Sequence, residues 1–256
     1  MDDFMESRIL AEIDAAEQAC GVRSLLAVES GSRAWGMGSK DSDYDVRFVY
    51  VRGVRDYLRL EKVRDTIEWR LDEVYDVVGW DLSKFLTLMR NSNPTVFEWL
   101  SSPIVYAESP ELASVRDLST GCFSPKACAF HYLGIARSNS HNMRQKDTVG
   151  AKRYLYTIRA LLAARWCLEE QSPTPMLIGD LIEAKLPAEL RCATDELREV
   201  RASGKEKAQI SHINALDQWI AQEDATLQGA ARNAAAPATM AWESFNKVFT
   251  DIILAQ

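Results

Sequence analysis

Asp43 and Asp45 stand two apart at the head of an apolar-alternating run, YDVRFVYV (44–51). In a strand, residues two apart share a face, so Asp43, Asp45 and Arg47 point one way while Tyr44, Val46, Phe48 and Tyr50 point the other. Two carboxylates about 4 Å apart repel by a few kcal/mol at an effective dielectric near 20, so a fold that keeps them together needs a positive partner. A divalent cation is the natural one. Magnesium takes hard oxygen ligands, commonly one or two carboxylates plus substrate phosphates, and manganese is an acceptable substitute. Two such ions clamp the attacking and leaving oxygens of an in-line phosphoryl displacement, which is the chemistry this pattern points to. That chemistry wants a third carboxylate from a neighbouring strand. Asp76 in EVYDVVGW (73–80) is the choice, because Asp76, Val78 and Trp80 alternate with Tyr75, Val77 and Gly79. A solvated strand residue is the plain alternative for it. Asp72, Glu73 and Asp81 are substitutes, although Asp81 is better placed to cap the helix that follows.

Gly31-Ser32 stands ahead of Asp43, with ten residues between. Gly31 permits backbone geometry that other residues resist, and Ser32 with neighbouring amides can hold triphosphate oxygens at a turn or helix start, with Arg33 adding charge. Two other phosphate-binding patterns fail here. GSRAWG is followed by Met37 rather than Lys, and Gly36-Met37-Gly38 has no third glycine at Asp41. A lone glycine-serine pair or a lone DxD is often only a turn, and their conjunction around an apolar strand carries the reading.

The elements that must position these groups alternate through the first third of the chain. Helical periodicity covers 7–20; SLLAVE (24–29) reads as a strand running into the glycine-rich segment, and 44–51, 65–70 and 73–80 as further strands. GVRDYLRL reads as a helical turn, a helix capped by Asp81 or Ser83 runs to about Asn91, and Pro94 opens another. From about residue 110 only helical periodicity is visible: 108–118, 125–146, 150–171, 176–186, 189–203, 206–228 and 238–255. The expected organisation is a sheet-bearing domain over 1–120 and a helical bundle over 121–256. In AKRYLYTIRALL, Lys152, Tyr156 and Arg159 share one helical face while Leu155, Ile158 and Leu162 form an apolar stripe. Lys152 and Arg159 are therefore candidates to bind a triphosphate or base, the competing reading being a solvated edge of snorkelling side chains. Asn93-Pro94-Thr95 and Glu98-Trp99 are explained by a helix boundary and a packed tryptophan.

GSRAWG, SDYDVR and a later strand aspartate resemble the hG[GS]…DxD…D signature of DNA-polymerase-β-like nucleotidyltransferases. More narrowly, GSRAWGMGSKDSDYDVRFVYV, VGWDLSKFLTLMRNSNPTVFEWLSSP and KRYLYTIRALLAARW together resemble the predicted nucleotidyltransferase family associated with RNA ligases. The resemblance spans roughly residues 24–170. It implies an α/β (α+β) nucleotidyltransferase fold with a small mixed sheet flanked by helices; the all-helical C-terminal domain expected after it rests on the periodicity alone. The resemblance also implies two metal ions, Ser32 near the triphosphate, and Asp43, Asp45 and Asp76 as ligands.

The bulk of the sequence narrows the partners. A net charge of −7 gives no overall attraction to a polyanion, so nucleic-acid contact would need a local basic patch. Cys20, Cys122, Cys128, Cys167 and Cys192 are odd in number and never spaced as CxxC, so neither a disulfide framework nor a zinc ribbon is indicated. His131, His141 and His212 show no ligand spacing, and no Ser/His/Asp or Cys/His arrangement stands out. The acidic start is unlike a secretory signal and the richest apolar stretch is cut by Arg159 and Arg165, so a cytoplasmic protein without membrane contact is expected. The expected activity is transfer of a nucleoside monophosphate from an NTP, ATP by default, to a hydroxyl on an RNA end, a protein or a small molecule, with pyrophosphate released. Two rivals remain: a non-catalytic nucleotide- or partner-binding module of the same fold, and a metal-dependent nuclease.

Overall fold

A computed structural model describes residues 3–39, 41–145, 147–203, 209–235 and 240–255, without the side chain of Arg144. The chain opens with α1 (Asp3–Cys20), β1 (Val22–Glu29) and the single turn α2 (Gly31–Ala34). There follow β2 (Tyr44–Arg52), the turn α3 (Val54–Tyr57), β3 (Thr66–Leu71), β4 (Tyr75–Asp81), α4 (Leu82–Arg90), α5 (Pro94–Leu100), β5 (Val105–Glu108) and α6 (Leu112–Ser119). Then come α7 (Pro125–Arg144), β6 (Thr148–Gly150), α8 (Ala151–Glu170), α9 (Ile178–Lys185), α10 (Ala188–Ala202), β7 (Gln209–Ser211), α11 (Asn214–Asn233) and α12 (Trp242–Leu254).

These elements form two compact units: Met1–Gly31 with Asp43–Cys122 and Thr239–Gln256, and Ser32–Ser42 with Phe123–Ala238. The first unit holds a five-stranded mixed sheet in the order β3-β4-β2-β1-β5, in which β2 and β4 run parallel and the other neighbours antiparallel. Strand alternation decides its faces. Val46, Phe48 and Tyr50 of β2 and Tyr75 and Val77 of β4 are buried with Ile9, Ile13 and Ala16 of α1. Burying each large apolar side chain contributes roughly 1.5–3 kcal/mol, which is why α1 takes this face. Gly79 lies opposite Phe48 in the register, and a Cβ there would meet the Phe48 ring at 2.3 Å, so the ring occupies the space a side chain would need. The odd-numbered residues Asp45 and Arg47 and the even-numbered Asp76, Val78 and Trp80 fall on the other face, as alternation requires.

α4 starts where Asp81 accepts a hydrogen bond from the Ser83 amide at 2.8 Å, and α5 where Asn93 accepts from Thr95, with Pro94 in the first turn. Among the described residues, the regular structure of the second unit is helical apart from the short β6–β7 ladder. Two strands there depart from the all-helical expectation: the helix expected from residue 206 begins at Asn214, because Gln209–Ser211 pairs with Thr148–Gly150. α8 is the central helix of this unit, packing on α7, α9, α10 and α11. A helix so surrounded is buried over most of its circumference between Tyr154 and Ala164, which the single stripe Leu155-Ile158-Leu162 understates. No helix among the described residues is long and apolar enough to cross a membrane.

Candidate active site

The parallel register sets Asp45 directly beside Asp76. Between them lies Arg47: its Nη2 donates to Asp76 Oδ2 at 2.7 Å and to Asp45 Oδ1 at 3.2 Å, and its Nη1 donates to the Asp76 carbonyl at 2.6 Å. The three side chains are only partly shielded, at 21, 18 and 25% exposure for Asp45, Arg47 and Asp76. The positive partner that two adjacent carboxylates demand is thus supplied within the chain. Strand alternation puts Arg47 on the acidic face without a role of its own; its residue type and its two-residue spacing from Asp45 are the signal the sequence carries for this contact.

Asp45 is held from behind by its neighbours in the sheet. Glu29, fully buried at the end of β1, accepts the Asp45 amide on Oε1 at 2.9 Å and the Tyr106 hydroxyl on Oε2. The Ser30 amide donates to the Asp45 carbonyl at 2.8 Å. Both backbone groups of Asp45 are therefore fixed by the last residues before the glycine. Glu29 and Tyr106 were not anticipated, since a lone acid ending a strand and a tyrosine on a short edge strand carry no spacing signal.

Gly31 has φ +61°, and a Cβ on it would stand 2.0 Å from Asp45 Oδ2. Left-handed backbone and close carboxylate approach each favour glycine at this position. Asp43 immediately precedes β2 and is half-buried. Among the described residues, no three of Asp, Glu, His and Cys are grouped to hold a metal ion, so Asp43, Asp45 and Asp76 do not form such a cluster as they stand. The substitutes for Asp76 have other employment or none: Asp81 caps α4 and accepts the Tyr57 hydroxyl at 3.0 Å, and Asp72 accepts the Val74 and Tyr75 amides in the β3–β4 turn. Arg70 beside Asp72, with those two amides, holds its carboxyl down to about 2. Glu73 is exposed in the same turn.

In the helical unit, the segment Ser32–Ser42 is folded on itself and tied to α8, α9 and α10. Ser32 is buried and its carbonyl accepts the Met37 amide at 2.8 Å, while Arg33 donates to the Ser42 carbonyl at 2.5 Å. Trp35 accepts the Ile178 amide on its carbonyl at 2.9 Å and meets the Tyr156 ring edge-on at 5.3 Å. Arg159 is buried with its guanidinium 4.1 Å from the centre of the Trp35 ring, which sets aside the solvated-edge alternative for this residue. Arg201, also buried, donates to the Met37 carbonyl. Lys152 is exposed, its ammonium 5.5 Å from the Tyr156 ring.

Residues 5–251 match the family described as the RNA repair pathway DNA polymerase beta family, RlaP. The chain belongs to that family. The polymerase-β-like resemblance read from the glycine-serine and DxD segments thus extends over nearly the whole RlaP-family chain, including the C-terminal part that matched nothing recognisable by motif. The chain is also 39% identical over 231 residues to the uncharacterized protein YcgL of Bacillus subtilis (strain 168), covering 89% of this chain and 88% of that one. A crystal structure of a nucleotidyltransferase-like protein from Exiguobacterium sibiricum 255-15 aligns over 98% of this chain and 80% of that one at 12% identity, with a TM-score of 0.29. Superposition that loose carries no weight beside the family match.

Proposed function

We propose that this RlaP-family chain is a metal-dependent nucleotidyltransferase. It moves a nucleoside monophosphate from an NTP, with ATP the default donor, to an acceptor hydroxyl. The observation that carries the reading is the register pair Asp45–Asp76 with both carboxylates reached by one nitrogen of Arg47. Two carboxylates that a single cation spans are an oxygen pair of the kind magnesium takes, and Asp43 at the head of the same strand would have to turn toward them to add a third oxygen. Bound there, the ions would supply charge neutralisation for the reacting phosphates. The acceptor oxygen forms a bond to the α-phosphorus as the α–β bridging bond breaks; pyrophosphate leaves with the electron pair and the hydroxyl proton passes to Asp76. Gly31 leaves open the approach to Asp45 that a side chain would block. Assignment of Arg33, Lys152 and Arg159 to the nucleotide rests on residue type, and that of Ser32 on the family resemblance as well. The family's description favours an RNA end as acceptor over a protein or a small molecule.

The test is incubation with α-labelled or γ-labelled ATP, magnesium and an RNA or extract acceptor pool. Label retained from the α position alone, with pyrophosphate formed, is the expected result. Asp45→Asn and Asp76→Asn should each lower transfer by at least about a hundredfold while leaving the melting temperature near that of the wild type. Wild-type turnover in both variants removes the mechanism. One observation favours a second reading: Arg47 already neutralises the carboxylates, as a module that binds without turnover would require. Magnesium-independent ATP binding with no transfer to any acceptor would establish it, and RNA cleavage without NTP would point instead to a nuclease.

A further inference from the structure

The helical unit contains a cavity of about 270 Å³ between the end of α7, the β6–β7 ladder and the start of α8. Its lining includes Asn139, Asn142, Lys152, Arg153, Tyr156 and Gln209, and no carboxylate among the described residues. In a chain of net charge −7 that is a local reversal of sign. Lys152 and Arg153 are adjacent in sequence, and neither makes an ion pair among the described residues; the Lys152 ammonium lies 5.5 Å from the centre of the Tyr156 ring. Another cavity of this unit, about 400 Å³ beside Gly36 and Gly38, differs on this point. Asp195 and Glu199 line it together with Arg198 and Arg201, and Arg198 is paired with Asp195 at 3.1 Å. Among the described residues, then, positive charge gathers without a carboxylate at the α7–α8 cavity and is paired at the one beside Gly36.

We infer that the α7–α8 cavity is a phosphate-recognition site for a nucleotide substrate, with Lys152 and Arg153 contacting the phosphate and the amides of Asn139, Asn142 and Gln209 hydrogen-bonding the attached sugar or base. Adjacent cations with amide donors match a phosphate's several acceptor oxygens, and arginine adds a two-pronged contact. The volume falls just short of the roughly 300 Å³ at which drug-sized pockets begin, so it suits one phosphate and its sugar rather than a whole triphosphate. The ligand class rests on the nucleotidyltransferase reading above. The cation pair itself does not.

Binding of three probes to the full chain tests this: inorganic phosphate, ATP, and a single-stranded oligoribonucleotide with and without a 5′-phosphate. Lys152→Gln and Arg153→Gln, singly and together, are compared with the wild type and with Lys247→Gln, which removes an exposed cation paired to Asp251. The double variant should weaken at least one phosphate-bearing probe tenfold or more. For the oligonucleotide, each cation removed should flatten the log–log salt dependence by about 0.7. Lys247→Gln should change neither. Loss confined to ATP assigns the cavity to the donor, and loss confined to the 5′-phosphorylated strand assigns it to the acceptor end. Wild-type binding of all three probes by a folded double variant overturns the inference. If labelled ATP shows no transfer while phosphate binding still depends on Lys152 and Arg153, the cavity stands and the transferase reading falls; transfer with undiminished binding in the double variant gives the reverse.

Discussion

Gly31 and Arg47 bound what the Asp45–Asp76 pair can do. Gly31 combines a left-handed φ of +61° with a Cβ position 2.0 Å from Asp45 Oδ2, so Gly31→Ala incurs two separate penalties. The backbone conformation costs about 1–2 kcal/mol for an L-residue, and the carboxylate must also move. Melting should therefore fall modestly while transfer falls far more; a variant that loses stability but keeps full turnover would disconnect Gly31 from the site. Arg47→Gln makes the opposite intervention by removing the cation shared by Asp45 and Asp76. The freed carboxylates repel, so the variant should melt below the wild type in chelator and gain more from added magnesium than the wild type does. A ligand at a hundred times its Kd stabilises by about 2.7 kcal/mol, enough to resolve the difference by calorimetry. Equal magnesium responses in both proteins would show that Arg47 and the metal do not compete for the same oxygens.

Among the elements, those with strong periodicity were readable and those formed by pairing alone were not. β2 and β4 announce themselves because Tyr44 to Tyr50 and Tyr75 to Gly79 alternate against α1, and the same alternation placed Asp45 and Asp76 on one face. β5 is four residues long and both β6 and β7 are three, too short for alternation to register, and they exist because a partner strand lies alongside. Glu29 was illegible for a related reason: its role depends on Tyr106, which is 77 positions away. The β3–β4 turn offers a test at this scale. Asp72 accepts the Val74 and Tyr75 amides and is paired with Arg70, which together hold its carboxyl down from 3.8 to about 2. A depressed carboxyl contributes stability that is fully present above its unfolded value and lost as pH falls through the folded one. The melting gap between wild type and Asp72→Asn should accordingly be constant above about pH 5 and close between roughly pH 4 and 2. A gap that stays open at pH 2 would mean the turn depends on packing rather than on the charged carboxylate.

For the whole chain, the compact units are not consecutive stretches of sequence. Ser32–Ser42 leaves the sheet-bearing unit to join the helices, and Thr239–Gln256 returns to it after the helical unit is complete. Helical periodicity told that α12 would be a helix but not which unit it serves, because an apolar face specifies burial and not a partner. The side chains answer that. Phe245, Ile252 and Ile253 of α12 are buried, Phe249 meets Tyr57 edge-on at 5.1 Å, and Arg90 of α4 lies 4.2 Å from the Trp242 ring and donates to the Met240 carbonyl at 3.0 Å. α12 packs on α4 and α6, both elements of the sheet-bearing unit. A chain ending before residue 240 would therefore lose three buried apolar side chains, worth roughly 1.5–3 kcal/mol each, from the unit that carries Asp45 and Asp76. Against a domain stability of about 5–15 kcal/mol that loss is large. Hydrogen exchange read by mass spectrometry should show faster exchange in α4, α6 and the sheet of the truncated chain, with α8 to α10 close to their rates in the full chain. Faster exchange confined to α8 to α10 would mean that α12 belongs with the helices, and that the end of the chain has no part in holding the carboxylate-bearing sheet.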